Sequence, residues 1–331
     1  MTQPTIAIES LNSEICHAYS SADLSRGASG PDAIAWTFRD NPEPFSVARE
    51  AGSIVGISGY IKSRMKFGPS TGHSYQAIDS YVSPSMRGKG VFTALAQAYE
   101  SHIKDRGGAA VWGFPNDNAA PAWFSKMDWR KHGQTPFMIK PLRTGYFLKK
   151  AKIDIDFPIS IHKNQNLSSI DYIDDSVSEI WDRFSKGIQV SNIRDRSYLS
   201  HRLTNSPWST EYRIVADTKN AFGAIVASRV LTKHGGRIAY IMESFGSSSL
   251  TDLLASELGY LREEEQCDLA LAWAFPWSPN YKALRKVGFF PLPERVRPIS
   301  IWFGAKPLSA QAALVNDTRN WYLSYLDSDT V

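Results

Sequence analysis

The chain has 331 residues, of which 43% are hydrophobic, 21% charged and 12% aromatic. This composition excludes a disordered or fibrous protein, and the length is typical of two domains. The net charge of +4 is too small for a duplex-binding surface, and Cys16 and Cys267 have neither metal nor disulfide spacing. Without a leader or an apolar run of about 20 residues, we expect a cytoplasmic protein with no membrane span.

The first informative elements lie between residues 52 and 107. The segment GSIVGISGYIK, residues 52–62, alternates apolar residues after a turn glycine and predicts a strand. A second strand is predicted to end at Val82, before the loop SPSMRGKG. A helix follows, because the apolar residues recur on one helical face, at Val91, Leu95, Ala98, Tyr99 and Ile103.

The loop Arg87-Gly88-Lys89-Gly90 favours a phosphate ligand. A glycine-rich loop that opens into a helix offers unpaired N–H groups and the positive end of the helix dipole. The segment has neither the GxxxxGK[ST] spacing of ATPase loops nor the GxGxxG spacing of nicotinamide sites. The alternative is a tight turn whose glycines serve only the backbone geometry.

Two halves of the chain repeat the same order of features. AAVWGFPNDNAAPAWFSKMDW, from Ala109, matches LALAWAFPWSPNYKALRKVGFF, from Leu269, and two shorter pairs, WTFRDNP with HRLTNSP and IDSYV with MESFG, keep that order. We therefore expect the same α+β unit twice. The predicted boundaries are 1–145 for the first domain, 146–160 for a linker and 161–331 for the second domain, whose end forms a C-terminal helix.

The pattern V-x-P-x-x-R-G-K-G-V before a helix resembles the pyrophosphate motif of the GNAT superfamily. FPNDNAAPAWFSKMDW resembles the strand end, asparagine turn and helix that follow it. The resemblance covers the first half and, as a degenerate copy, the second. It implies an α+β fold of two tandem GNAT-type domains, each a mixed, mainly antiparallel sheet flanked by helices and splayed open to hold acyl-CoA.

The same resemblance assigns residues to the acyl-CoA site. Val82 would polarise the thioester through its N–H, and the pyrophosphate would lie on the loop and the helix start. The full set is Val82, Met86, Arg87, Gly88, Lys89, Gly90, Val91, Phe92, Thr93, Asn116, Asn118 and Phe124. Two positions depart from the family. Phe92 replaces a small residue, and Phe124 stands where many members have a tyrosine acid, so the proton for the leaving thiolate needs another source.

The second half has no such loop, because only GSSS separates Phe245 from the helix that begins near Leu250. We therefore expect one acyl-CoA per chain, bound in the first domain. The second domain is expected to supply acceptor contacts or a wall of the pocket, or to be a purely structural lid.

A carboxylate or imidazole near the acyl carbon would help to take the proton of the attacking amine, whereas for the less basic amine of an amino sugar a water chain would suffice. Asp79 is the first choice, since it precedes Val82 by three residues in an apolar run, and Glu243 occupies the matching place in the second repeat. The alternative for Asp79 is a structural carboxylate satisfied by a neighbouring donor. His73 and Tyr75 are reserves.

The expected reaction is transfer of an acyl group to a primary amine. The tandem arrangement resembles acyltransferases that act on nucleotide-linked amino sugars in bacterial surface-polysaccharide assembly. Asp79, Glu243 and Trp277 would contact the acceptor, with the tryptophan as a stacking surface. Other possibilities are an aminoglycoside-like compound, a protein amine, or a non-catalytic acyl-CoA sensor. Neither a metal nor a nucleic acid is implied, and the protein is expected to be a monomer or dimer.

Overall fold

The structure is a computed structural model that describes residues 4–21, 30–150, 152–161, 167–218, 222–297 and 299–328. The chain forms two compact units, and each is built from two separate stretches of sequence. The first unit comprises the chain up to Thr135 together with Ile299–Asn320. The second unit begins at Pro136, omits that late stretch and resumes at Trp321.

Helices and strands are interspersed along the chain. Up to Gln134 the elements are β1 (Thr5–Glu9), α1 (Ser13–Ser21), α2 (Pro31–Thr37), β2 (Phe45–Glu50), β3 (Ser53–Phe67), β4 (Ser70–Val82), α3 (Val91–Asp105), β5 (Ala110–Gly113), α4 (Ala120–Lys126) and β6 (Arg130–Gln134). They are followed by β7 (Phe137–Pro141), α5 (Gly145–Lys150), α6 (Ser176–Phe184), β8 (Val190–Asn192), α7 (Arg196–Leu199), β9 (Tyr212–Asp217), β10 (Ala224–Lys233), β11 (Gly236–Gly246), α8 (Leu250–Glu263), β12 (Leu269–Trp273), α9 (Tyr281–Lys286), β13 (Phe290–Pro291) and β14 (Trp302–Pro307).

In the first unit the strand order is β1-β2-β3-β4-β5-β14-β6. Neighbours are antiparallel except β4 and β5, which run parallel. Adjacent residues of a strand point to opposite faces. Val47 of β2 accordingly packs with residues of α1 and α2, whereas Ala48 packs with α3. The helices therefore cover both faces of this sheet.

In the second unit the order is β13-β7-β12-β11-β10-β9. The parallel neighbours here are β11 and β12, and the other pairs are antiparallel. A core of buried aliphatic side chains joins this sheet to α8. Both sheets are thus mixed, mainly antiparallel and flanked by helices, and this confirms the predicted α+β fold class.

The units are not the contiguous domains 1–145 and 161–331 that the sequence predicts. β14, near the end of the chain, is hydrogen-bonded between β5 and β6 in the first unit. β7, from the first half, is hydrogen-bonded between β12 and β13 in the second unit. Each half therefore gives one strand to the other sheet, and strand pairing over such sequence distances leaves no local signal.

The predicted C-terminal helix is wrong. Among the described residues the segment forms short 3₁₀ turns instead, at Ala310–Asn316, Thr318–Asn320 and Tyr325–Asp327. Trp321, Tyr322 and Leu323 are consecutive and all about 99% buried. A surface helix would expose part of such a run, so burial on all sides favours an irregular segment.

Helix α3 forms as predicted, and its local causes are visible. Val91, Leu95, Tyr99 and Ile103 are buried on its inner face. Gly90 precedes it in the left-handed region, and Gly107 follows it with φ of 74°. No helix in the described stretches of the chain is long and apolar enough to span a membrane.

Candidate active site

The centre of the first sheet opens between β4 and β5. Their parallel ladder joins Ser74–Ala77 to Ala110–Gly113 and goes no further. Beyond Gly113 the chain follows β14 instead, with a bridge from Asn116 to Ile301. The last five residues of β4 therefore border a gap, where the resemblance predicts the acyl-CoA arm.

A β-bulge shapes β4 beside this gap. The register with β3 shifts between Ile57 and Gly59, and the extra residue on β4 falls at Asp79 and Ser80. Asp79 has φ of 47°, a left-handed conformation that aspartate tolerates better than most side chains. The bulge therefore re-aims the carboxylate at the point where β4 and β5 separate.

The backbone of Val82 faces the gap. The Ser83 N–H donates to the Val55 carbonyl at 2.9 Å, so Ser83 and Val55 form a hydrogen-bonded pair of the ladder. Pairs alternate in antiparallel strands, so the N–H and C=O of Val82 point away from β3. Consistent with this, the Val82 carbonyl accepts a hydrogen bond from Arg87 Nε at 3.2 Å. The Val82 N–H lies on the same open edge, as an oxyanion donor would.

The predicted phosphate loop lies directly after β4. A single 3₁₀ turn, Pro84–Met86, is followed by Gly88 and Gly90, whose φ angles are 76° and 82°. An added Cβ at either glycine would meet nothing within 4 Å. Glycine is therefore required by the backbone conformation, and the space above the loop is open.

The hydrogen-bond donors that this loop offers to a ligand are main-chain N–H groups. The first α3 hydrogen bond runs from the Ala94 N–H to the Gly90 carbonyl, so Val91, Phe92 and Thr93 have N–H groups without an intrahelical acceptor. The side chains of Met86 and Val91 are buried in a cluster with Leu95. These two residues can therefore contact a ligand only through the backbone, while Arg87 and Lys89 are exposed and add positive charge.

Phe92 does not enter the loop. Its ring packs edge-on against Trp123 of α4, with ring centroids 5.1 Å apart and an interplanar angle of 83°. The bulky residue at this position is thus accommodated between α3 and α4. Because the phenyl ring leans towards α4, the backbone of the loop keeps its open face.

The asparagine turn after β5 is structural in its side-chain contacts. Asn116 Oδ1 accepts hydrogen bonds from the N–H groups of Asn118 and Ala119, at 3.1 and 3.0 Å. Asn118 is exposed. Both residues lie where the strand leaves the ladder, so they border the gap while the Asn116 side chain shapes the turn that leads into α4.

Phe124 lies against β14. A Cβ added to Gly304 would come within 2.4 Å of Phe124 Cε1, so the ring covers the glycine backbone. The Lys131 ammonium lies 5.8 Å from the ring centroid and 3.7 Å from that of Trp302. The phenyl ring has no proton to give, and its position is fixed by a strand that the sequence alone does not place near it.

Asp79 is held by a tyrosine of α1. The Tyr19 hydroxyl donates to Asp79 Oδ2 at 2.5 Å. Tyr19 is 2% exposed, whereas Asp79 is half-buried. The carboxylate therefore faces the side of the sheet that α1 and α2 cover, opposite α3.

Glu243 has the contacts of a structural anion. It is 1% exposed and pairs with Arg194 at 3.0 Å, and it accepts hydrogen bonds from the hydroxyls of Tyr322 and Ser324 at 2.6 and 2.8 Å. Burial acts to lower the pKa of Arg194, but Asp327 and Glu243 raise it above its usual value. The expected catalytic role of Glu243 has no support in this arrangement, because its oxygens are already engaged.

The remaining candidates are also placed. Trp277 is 42% exposed, stacks on Phe275 at 4.7 Å and donates its indole N–H to the Trp321 carbonyl at 3.3 Å. Of the reserves, Tyr75 is buried, and burial with neighbouring Lys62 and Arg64 lowers the pKa of His73.

Sequence reasoning missed Tyr19 and Gly304. Tyr19 lies 60 positions before Asp79, and its only local signal is its spacing from the buried Ile15 on one face of α1. Gly304 belongs to the strand that crosses into the first unit, so nothing near it in the sequence indicates its contact with Phe124.

Residues 10–129 match the model of the family described as "Acetyltransferase (GNAT) family". No curated protein gives a significant match to the sequence. Three solved structures are similar across most of the chain. They are a GCN5-related N-acetyltransferase from Anabaena variabilis (11% identity, TM-score 0.64, 94% of this chain and 74% of that chain), the Saccharomyces cerevisiae N-myristoyltransferase with bound myristoyl-CoA (10%, 0.58, 92% and 83%) and a GCN5-related N-acetyltransferase from Kribbella flavida (12%, 0.60, 94% and 73%).

At sequence identities of 10–12% the structural likeness shows the fold alone. The acyltransferase chemistry is supported by the family match of residues 10–129. The protein is an acyl-CoA-dependent N-acyltransferase, with acyl-CoA as its co-substrate. Residues 10–129, the stretch that matches the family model, include the bulge, the residues that border the gap and the glycine loop.

Proposed function

We propose that the protein transfers an acyl group from acyl-CoA to the primary amine of a nucleotide-linked amino sugar, at the end of β4. One observation carries the proposal: the Asp79 carboxylate, the Val82 N–H and the glycine loop follow one another along a single strand end that borders the gap. A base, an oxyanion donor and a phosphate site are the groups that this reaction needs.

The proposed chemistry gives each of these groups a separate task. The loop amides from Gly88 to Thr93 hold the pyrophosphate. The Val82 N–H stabilises the negative charge on the thioester oxygen as the amine nitrogen bonds to the carbonyl carbon. Asp79 accepts a proton from that nitrogen, the carbon–sulfur bond breaks, and CoA leaves as a thiolate that takes its proton from solvent.

Only the first unit is proposed to bind acyl-CoA. In the second unit, β11 passes through Ser247–Ser249 directly into α8, without a glycine loop. The ladder between β11 and β12 ends at Tyr240, and beyond it the Tyr322 hydroxyl donates to the Ser244 carbonyl at 3.2 Å. The chain's own C-terminal segment therefore packs along β11 where β4 borders a gap.

The first test is calorimetric titration with acetyl-CoA, followed by thiol release with nucleotide-linked amino sugars, aminoglycosides and peptides. One site per chain and thiol release on an amino sugar would support the proposal. Binding without turnover on any amine would favour the acyl-CoA sensor. Phe124 is compatible with a sensor, because its phenyl ring cannot protonate the leaving thiolate. Turnover on aminoglycosides or peptides alone would show that the acceptor is one of these amines and not a nucleotide-linked amino sugar.

Asp79→Asn tests the base. Turnover should fall by a factor of roughly 100 to 10,000, because the amide cannot accept the proton. The affinity for acetyl-CoA should stay the same, since the loop is unchanged. Asp105→Asn, an exposed change at the end of α3, is the matched control and should leave both quantities unaltered. An unaltered pH–rate profile in Asp79→Asn would exclude Asp79 as the base.

A further inference from the structure

Tyr19 is a rigid donor aimed at the proposed base. Its ring lies edge-on to Phe38 and Phe45, with centroids 6.0 and 5.7 Å away, and the side chain is 2% exposed. Its hydroxyl oxygen lies 2.5 Å from Asp79 Oδ2. Because aromatic packing fixes the ring, the direction of this hydrogen bond is fixed as well.

Asp79 needs such a restraint. It sits on a bulge, in the left-handed region, where the regular ladder no longer sets the direction of its side chain. A hydroxyl donor holds the carboxylate in one orientation and stabilises its charged form over its protonated form. A general base acts only in the charged form and only when aimed at its proton.

We propose that Tyr19 is a positioning residue, which orients Asp79 and keeps it ionised for proton transfer from the acceptor amine. This inference rests on the proposed function, in which Asp79 is the base. Among the described residues, the hydrophobic cluster around the bond contains two further titratable side chains, Cys16 of α1 and Tyr81 of β4. The charge-assisted hydrogen bond from Tyr19 is expected to affect the ionisation of Asp79 more than the apolar contacts of this cluster do.

Tyr19→Phe tests the inference, since it keeps the ring packing and removes the donor. The acid limb of the kcat/KM profile should move to higher pH by about 1 to 2 units, the usual strength of a hydrogen bond to a charged group. The dissociation constant for acetyl-CoA should not change. Tyr99→Phe is the matched control, because its buried hydroxyl bonds to Asn41 and Glu43 on the other face of the sheet. It should leave the acid limb in place.

A direct titration separates this inference from the function it rests on. The carboxyl carbon of Asp79, assigned by its loss in Asp79→Asn, is followed by ¹³C NMR in the parent protein and in Tyr19→Phe. A higher midpoint in Tyr19→Phe, together with the shifted acid limb, is the expected result. An unchanged midpoint with Asp79→Asn still inactive would overturn the role of Tyr19 alone. Full activity in Asp79→Asn would overturn the base and, with it, the positioning role.

Discussion

β4 and β11 occupy equivalent places in the two units and end in different surroundings. Each is the antiparallel partner of a preceding strand and the parallel partner of a following one. Near its end each carries a carboxylate, Asp79 in β4 and Glu243 in β11. Asp79 borders a gap and is half-buried, whereas Glu243 is enclosed by Arg194, Tyr322 and Ser324.

The difference shows that strand position does not decide what a carboxylate does. A glycine loop with φ of 76° and 82° follows β4 and leaves backbone donors open. At the end of β11, Gly246 has φ of 146°, and a Cβ there would collide with the Ala224 Cα. The first strand end is thus built around open donors, and the second is packed tightly against its own chain.

Breaking the buried charge cluster should have the largest effect. Arg194→Ala would leave Glu243 and Asp327 buried without their cation, at a cost of about 3–5 kcal/mol in the free energy of unfolding. Arg196→Ala removes an exposed pair with Asp175 and should cost at most about 1 kcal/mol. Urea unfolding of both variants makes the measurement. Equal losses of unfolding free energy in the two variants would contradict a structural role for Glu243. The contrast between an enclosed Glu243 and a half-buried Asp79 would then be weaker.

The next effect concerns the glycine loop. Gly90→Val should weaken acetyl-CoA binding at least about 100-fold, or about 2.7 kcal/mol, by disfavouring the left-handed backbone and occupying the space above the loop. Calorimetric titration measures it. Gly52→Val is the matched control, because Gly52 has φ of 83° in a turn between β2 and β3. It should show similar backbone strain with normal affinity, and normal affinity in Gly90→Val would remove the phosphate site.

The last effect is a pH dependence in the first unit. Burial lowers the pKa of His132 to about 4, below the roughly 6.5 of an unfolded chain. Between these values only the unfolded state binds the proton, so the stability from neutral His132 is complete above pH 6.5 and is lost as the pH falls towards 4. The loss is at most about 1.4 kcal/mol per pH unit.

Thermal melting between pH 7 and 4 checks this prediction. His132→Asn should flatten the acid side of the Tm profile. His234→Asn, in an exposed turn of the second unit, is the control and should follow the parent protein. An identical slope of Tm against pH in all three proteins would mean that the acid sensitivity does not arise from the imidazole of His132.

The local features of the site could be predicted from sequence. The strand before Val82, the glycine loop and α3 are contiguous, so turn chemistry and helical spacing identify them without tertiary information. The match between Phe114-Pro115 and Phe275-Pro276 predicts a repeat, and each pair lies between a strand, β5 or β12, and a short helix, α4 or α9. The predicted C-terminal helix is wrong because apolar spacing cannot distinguish a helical face from an irregular segment buried on all sides.

The sequence by itself determined the fold class and the succession of strand, glycine loop and helix from β4 to α3, since each depends on residues close together in the chain. Tertiary structure decided the exchange of β7 and β14, the covering of β11 by the C-terminal segment, and the bond from Tyr19 to Asp79. These features depend on contacts between residues tens to hundreds of positions apart. Such contacts form only when a strand edge or a side chain packs against residues that are distant in the sequence. Local sequence patterns therefore do not predict them.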